Sequence, residues 1–341
     1  MKKRYTLKSF DLIVIGAGSG LDVAVEAANR GLKTALIEEG PMGGTCLNRG
    51  CIPSKMVIHA ADLAEEMKRA HVFGLKASLS GINFKQVTGR ASHTVDADSK
   101  SIEHSLRAGK NPVLFQSRAK FIAPYTLQVG KENITAKKIV IAAGARPTIP
   151  PIPGLDKVPY MTSTEALRLT SLPKSMVIIG GGYIAAELGH FYSALGCKVT
   201  VIQRGPLLIP REDKDVSELF TALWKQKYGV VCNCDVLNVE KKGKNIIVST
   251  RHDGKAEKFI AEKLLIATGV TPNSDTLNLS KTGVKVNERG FVIVNKFMET
   301  SAKDIWALGD IAGVYLFKHS ANLEAGSVLA NLFGGKKAVD Y

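Results

Sequence analysis

The chain has 341 residues, 45% of them apolar and 23% charged, the composition of a globular protein of two or three domains. No apolar run reaches the about 18 residues of a transmembrane helix, so a membrane partner is not expected. The net charge of +15 comes from basic residues that stand singly or in pairs, such as Lys137-Lys138 and Lys336-Lys337, which argues against nucleic acid and suits anionic cofactors.

The basic start Met1-Lys2-Lys3-Arg4 imitates a signal peptide, but Asp11 interrupts the apolar run behind it. Residues 12 to 15 then end in the glycine turn Gly16-Ala17-Gly18-Ser19-Gly20, so a first strand is expected there. Gly16 permits the tight turn, and Gly18 lets backbone approach a pyrophosphate at the N-terminus of the helix that follows. The third fingerprint position holds Leu21 in place of glycine, with Gly20 one residue earlier. Glu38 closes the second strand, residues 34 to 38, where a carboxylate takes ribose hydroxyl groups.

Next comes Gly43-Gly44-Thr45-Cys46-Leu47-Asn48-Arg49-Gly50-Cys51-Ile52-Pro53-Ser54-Lys55. Two thiols beside a dinucleotide turn suggest a disulfide that takes electrons from a cofactor. Cys51 and Lys55 are spaced i, i+4 and share a helix face, where the ammonium favours the Cys51 thiolate. Buried thiols or half of a zinc site are the alternatives; His59 and His71 are too far apart for an ordinary metal-binding pair. Five cysteines do not make a disulfide framework, and a reducing cytoplasm with one redox disulfide is expected. Residues 62 to 72 read as helix.

Residues 139 to 147 (IVIAAGARP) read as a closing strand with a small-residue turn at Gly144. Pro150-Pro151-Ile152-Pro153-Gly154 then marks a domain boundary. The pattern repeats beyond it: a strand into Gly180-Gly181-Gly182, a helix containing Ala185, a second strand over residues 198 to 203, and a closing strand over 264 to 272 (LLIATGVTP) with Gly269. Two Rossmann-like βαβ units in a three-layer α/β fold are therefore expected. The boundaries are 1–150, 151–272 and a return to the first domain over 273–341 through Gly309-Asp310. Gln203 and Arg204 stand where an NAD site carries a carboxylate, and a guanidinium there suits a 2′-phosphate, so NADPH is expected in preference to NADH. Arg204 as a solvated loop residue is the alternative. Cys232 and Cys234 read as strand neighbours on opposite faces, and residues 245 to 251 as a strand.

The two-cysteine segment and both glycine turns closely resemble the class I flavin-dependent pyridine nucleotide–disulfide oxidoreductases, which include dihydrolipoamide dehydrogenase and the glutathione, mycothione and mercuric reductases. The resemblance implies FAD at Gly16, Gly18, Ser19, Gly20, Glu38, Gly44, Thr45 and Gly144, and a nicotinamide nucleotide at Gly180, Gly182, Gln203, Arg204 and Gly269. It implies that Gly309-Asp310 binds the ribityl chain (a helix N-cap is the other reading of Asp310). The helix around Lys318-His319-Ser320-Ala321 and Glu324-Ala325-Gly326 is then expected to face the flavin. By the same resemblance Cys51 is the flavin-proximal sulfur, Cys46 exchanges with substrate, Glu187 pairs with Lys55, and Tyr183 is a movable aromatic lid. The implied activity passes electrons between nicotinamide, FAD, Cys46–Cys51 and a small disulfide or dithiol. The competing class is a flavin-binding protein without disulfide turnover. Relatives carry a further dimer-forming domain with a His-Pro and Glu pair; that segment is expected to be absent here, and a homodimer is implied for the full-length form.

Overall fold

The computed structural model describes residues 7–341, so the basic start Met1-Lys2-Lys3-Arg4 lies outside the described residues. In chain order the chain forms β1 (Leu7–Ile15), α1 (Gly20–Asn29), β2 (Thr34–Glu38), α2 (Gly44–Arg49), α3 (Cys51–Arg69), α4 (Phe84–Ala108), β3 (Val113–Gln116), β4 (Ala119–Ala123), β5 (Thr126–Val129), β6 (Glu132–Ile141) and β7 (Ala145–Pro147). There follow β8 (Tyr160–Met161), α5 (Ser163–Ala166), β9 (Ser175–Ile179), α6 (Tyr183–Ala194), β10 (Lys198–Ile202), α7 (Lys214–Lys227), β11 (Gly229–Val231) and β12 (Cys234–Lys242). The last elements are β13 (Asn245–His252), β14 (Lys255–Ala261), β15 (Lys263–Ile266), β16 (Val270–Pro272), β17 (Ile305–Ala307) and α8 (Lys318–Leu332).

The chain divides into two compact units. Unit 1 takes the chain up to Asn48, then Asp96–Arg146 and Thr271–Tyr341; unit 2 takes Arg49–Val95 and Pro147–Val270. Residues Arg49–Val95, which the sequence reading gave to the first domain, group with unit 2 because of packing. Val57, Ala61 and Ala64 on one face of α3, with Phe84 and Ala91 of α4, share a core with Leu188, Phe191 and Tyr192 of α6.

In unit 1 a parallel sheet runs β3-β2-β1-β6, with β17 added along the C-terminal half of β6. The N-terminal half of β6 instead pairs antiparallel with β5, and β5 with β4. Both faces of β1 are covered, which explains its unbroken apolar run. Leu12 and Val14 pack with Val23, Ala24 and Ala27 of α1 and with Ala325, Val328 and Leu332 of α8. Ile13 and Ile15 point the other way, onto Phe121 and Leu127 of the antiparallel branch. Each such side chain stabilises the fold by about 1.5–3 kcal/mol through burial.

Unit 2 repeats the plan. Its parallel sheet runs β11-β10-β9-β15-β8, and β12-β13-β14 form an antiparallel meander. Met176 and Ile178 of β9 face the helices, while Val177 and Ile179 face Val239, Val248 and Ala261 of the meander. Helices, parallel sheet and antiparallel strands give the expected three-layer α/β fold twice over.

Three local expectations need correcting. The helix read over residues 62 to 72 begins earlier, at Cys51, and Ala70–Phe73 is a 3-10 turn. Cys232 and Cys234 are not in one strand: Asn233 between them has φ +53°, a left-handed turn, and both thiols are buried. Asp310 lies inside the short 3-10 turn Gly309–Ile311, whose N-cap is Leu308, so it is not a helix cap.

Candidate active site

The two glycine turns are built alike. A β-carbon on Gly16, at φ +105°, would lie 2.2 Å from the carbonyl oxygen of Ala142; one on Gly180, at φ +109°, would lie 2.3 Å from that of Ala267. Ala142 follows β6 and Ala267 follows β15, so each unit presses its turn onto the end of its closing strand. Only glycine fits either place. The departure at Leu21 has a structural answer: a β-carbon on Gly20 would meet the Ala142 Cβ at 2.8 Å and Val14 Cγ1 at 3.0 Å, so Gly20 provides the close helix–strand packing. In the second turn Ala185 is itself buried.

Around the first turn, Glu38 accepts hydrogen bonds from the backbone N–H of Ala17 and of Gly40, both at 2.8 Å. Its carboxylate is thereby fixed beside the glycine loop. Gly44, the first residue of α2, closes against the same loop, since a β-carbon there would lie 2.7 Å from Gly18 Cα. Thr45 is exposed next to it. Ser19 is buried and its hydroxyl donates to Asn322 Oδ1 at 3.0 Å. Gly144 lies in the turn after β6, and Gly309 opens the turn that carries Asp310. Burial pushes the Asp310 carboxyl up. Glu324 is fully buried on α8: one oxygen accepts from the Gly309 N–H at 2.5 Å and the other from the Tyr341 hydroxyl at 2.6 Å.

In unit 2 Cys51 is the first residue of the 19-residue helix α3 and is exposed. Its sulfur is at a helix N-terminus, where the dipole favours a thiolate. Cys46 lies in α2 and is half-buried. One turn along α3, Lys55 Nζ lies 2.6 Å from Glu187 Oε1 on α6, the pairing expected from the resemblance. Further along the same helices Asp62 Oδ1 meets His190 Nε2 at 2.7 Å, and Lys68 donates to the Ala194 carbonyl at 2.8 Å. Burial works against it, but Lys227 and Lys68 together hold the Glu65 carboxyl below its usual range. Among the described residues no cluster of His, Cys, Asp and Glu has the makings of a metal site.

Tyr183 is the first residue of α6, directly after Gly182. Its hydroxyl donates to Glu212 Oε1 at 2.5 Å, and this bond, aided by burial, raises the Tyr183 phenol. Glu212 belongs to the loop between β10 and α7. That loop is tied to the glycine turn by the Ile209 N–H, which donates to the Gly181 carbonyl at 2.6 Å. Ile209 sits at φ +42°, an unusual conformation for a β-branched residue. Gln203 folds back, donating from Nε2 to the Leu207 carbonyl at 3.2 Å, while Arg204 beside it is exposed. Gly269 lies in the turn after β15.

Sequence reasoning missed Glu212, Asp62 and His190. Tyr183 and Glu212 meet across a loop whose path no local spacing reveals. Asp62 and Lys55 are two turns apart on α3, so the helical repeat marks their shared face but not the helix it meets.

A family model described as pyridine nucleotide-disulphide oxidoreductase matches residues 10–326. The chain belongs to this family. It is similar to a mercuric reductase of Staphylococcus aureus, 35% identical over 334 residues, covering 97% of this chain and 61% of that one. It is also similar to a mycothione reductase of Mycobacterium tuberculosis, 36% identical over 332 residues, covering 96% and 71%. Among solved structures, the HOCl-induced flavoprotein disulfide reductase RclA from Escherichia coli superposes with a TM-score of 0.85 at 31% identity, covering 97% of this chain and 73% of that chain. The chain thus spans 61% to 71% of the length of these two reductases.

Pyridine nucleotide-disulphide oxidoreductases use FAD and NAD(P)H, and the residues present fit both. Each unit offers one glycine turn against its closing strand. In unit 2 the space beside that turn is open, since a β-carbon on Gly182 or on Gly269 would meet nothing within 4 Å. The half-buried Asp310 carboxyl, raised by desolvation, suits a hydroxyl-rich neighbour.

Proposed function

We propose that unit 1 binds FAD, that unit 2 binds NADPH, and that the protein uses them to reduce a small disulfide through Cys46 and Cys51. FAD bound in unit 1 would carry reducing equivalents from the nicotinamide to the Cys46–Cys51 disulfide. The chain's own residues account for the thiol chemistry. The Cys46 thiolate attacks one sulfur of the substrate disulfide; that S–S bond breaks, the first thiol leaves with a proton, and a mixed disulfide remains. The Cys51 thiolate then attacks Cys46 Sγ, the second thiol leaves with a proton, and the Cys46–Cys51 bond re-forms. The substrate gains two electrons and the cysteine pair loses them.

The observation that carries this reading is Lys55, one helical turn from Cys51 and 2.6 Å from Glu187. An ion pair beside the exposed thiol at the start of α3 suits a sulfur that must persist as thiolate. We assign Glu38 to the adenosine ribose, Asp310 to the ribityl chain, and the glycine turns at Gly16 and Gly180 to the two pyrophosphates. Exposed Arg204, with no carboxylate at Gln203, supports a 2′-phosphate and hence NADPH. In the full-length protein a homodimer is part of the same proposal.

Anaerobic titration of the flavin-loaded chain with NADPH and with NADH tests it. NADPH should reduce it at the lower concentration and produce long-wavelength thiolate–flavin absorbance. Cys51→Ser should lose that absorbance and Cys46→Ser keep it. The reverse pattern would overturn the division of roles, and equal or better reduction by NADH would overturn the nucleotide preference. Turnover with lipoamide, glutathione disulfide, mycothione and Hg(II) would then identify the acceptor.

A further inference from the structure

Lys318 is the first residue of α8, and its ammonium donates to Ser19 Oγ at 2.9 Å. Ser19 precedes α1 and is the residue after Gly18 of the first glycine turn. A positive side chain therefore lies at the positive ends of two helices at once, its own and α1. Such an arrangement is unfavourable by itself, because helix N-termini attract anions and repel cations. Ordinary compensation is missing. Ser19 makes no side-chain cap on α1, its hydroxyl being turned to Asn322. Phe317 makes no cap on α8, and α8 has no acidic residue in its first turn. Asp22, in the first turn of α1, is exposed and forms no ion pair with Lys318. Among the described residues no carboxylate neutralises this ammonium.

We propose that Lys318 is a diphosphate-binding residue: with Ser19 and the amides of the first glycine turn it clamps the pyrophosphate of FAD. The inference rests on the reading of unit 1 as the FAD unit and adds a cation that the glycine fingerprint does not contain. An anion between the two helix ends converts three like-signed neighbours into a matched set, with a charge-assisted hydrogen bond from Nζ to a phosphate oxygen. The same logic makes the arrangement costly without an anion, so Lys318 serves binding at the expense of the unliganded fold.

The test measures FAD and ADP affinity of the full chain by titration calorimetry, together with the melting temperature of the flavin-depleted chain. The variants are Lys318→Gln and Lys318→Arg. Lys318→Gln should weaken FAD and ADP alike by about tenfold, the worth of one charge-assisted hydrogen bond at a half-buried site. Lys318→Arg should stay within about threefold, since it keeps the charge. The melting temperature of the flavin-depleted Lys318→Gln chain should be unchanged or higher. ADP affinity equal to that of the unaltered chain would overturn the proposal. So would weakened FAD with undiminished ADP, which would put the ammonium on the ring system instead. A fall in affinity that tracks a fall in melting temperature, without rescue by arginine, would mark Lys318 as merely structural and overturn it too. If the unaltered chain bound neither FAD nor ADP, the FAD assignment of unit 1 would fail first and take this inference with it.

Discussion

Tyr183 donates its phenol hydrogen to Glu212 at 2.5 Å, fastening the first turn of α6 to the loop that follows β10. The same loop hangs from the glycine turn through the Ile209 N–H and the Gly181 carbonyl. The ring beside the second fingerprint is thus oriented by a carboxylate from the segment that also carries Arg204.

Because the hydrogen bond to Glu212 is the main cause of the raised Tyr183 phenol, Glu212→Ala should let that phenol ionise at lower pH. Absorbance at the tyrosinate band, taken as a difference against Tyr183→Phe, reads this single group. An unchanged titration would show that the bond does not persist in solution.

Lys55→Met should slow alkylation of Cys51 by iodoacetamide at neutral pH by about two- to fivefold, the size of a one-turn charge interaction on a helix. Glu187→Gln should act in the opposite direction, because it leaves the ammonium unpaired and more able to favour the thiolate. Timed alkylation followed by peptide mass spectrometry resolves Cys51 from Cys46. Equal rates in all three proteins would remove Lys55 from the control of this sulfur.

Gly16→Ala and Gly180→Ala place a methyl group against a carbonyl oxygen at 2.2 and 2.3 Å, each in a backbone conformation that disfavours alanine. Each should cost about 2 kcal/mol or more. They should nevertheless separate in function: Gly16→Ala loses bound flavin, while Gly180→Ala keeps it but loses NADPH binding. Flavin absorbance after gel filtration and nucleotide titration distinguish the two.

Glu324 supplies a dependence on pH. Burial raises its carboxyl, although the hydrogen bonds from Tyr341 and Gly309 pull it partly back down. The folded chain therefore keeps a proton that the unfolded chain releases near pH ~4.3, and stability falls as pH rises from there through the raised folded value. Glu324→Gln should flatten that decline in urea midpoints measured from acid to neutral pH. Glu324→Leu should cost about 1–3 kcal/mol at every pH, since the Gly309 N–H loses its acceptor. A Gln variant as pH-dependent as the original would show that Glu324 does not titrate in this window.

Much of this architecture was legible in the residues because close backbone approaches demand glycine. Gly16 and Gly180 mark the turns, and the small residues after Ile141 and Ile266 mark the strands they press on. The Lys55–Glu187 pair was legible through resemblance. The grouping of Arg49–Val95 was not legible. The spacing of Val57, Ala61 and Ala64 says that α3 buries a face but not which partner covers it. Nor could Cys232 and Cys234 be read correctly, because one left-handed residue, Asn233, breaks what alternation presents as a strand.

Unit 2 is interleaved in the chain between parts of unit 1, and this sets an order for synthesis. By the time Val270 is made, every segment of unit 2 exists and its sheet can close. Unit 1, though started first, still lacks β17 and α8, so the C-terminal half of β6 presents an unpaired edge around Ile139 and Ile141. Such edges invite wrong pairing until they are covered. From the synthesis of Ile141 until that of Ile305 the nascent chain therefore carries this open edge, and slow codons or a chaperone would matter within that interval.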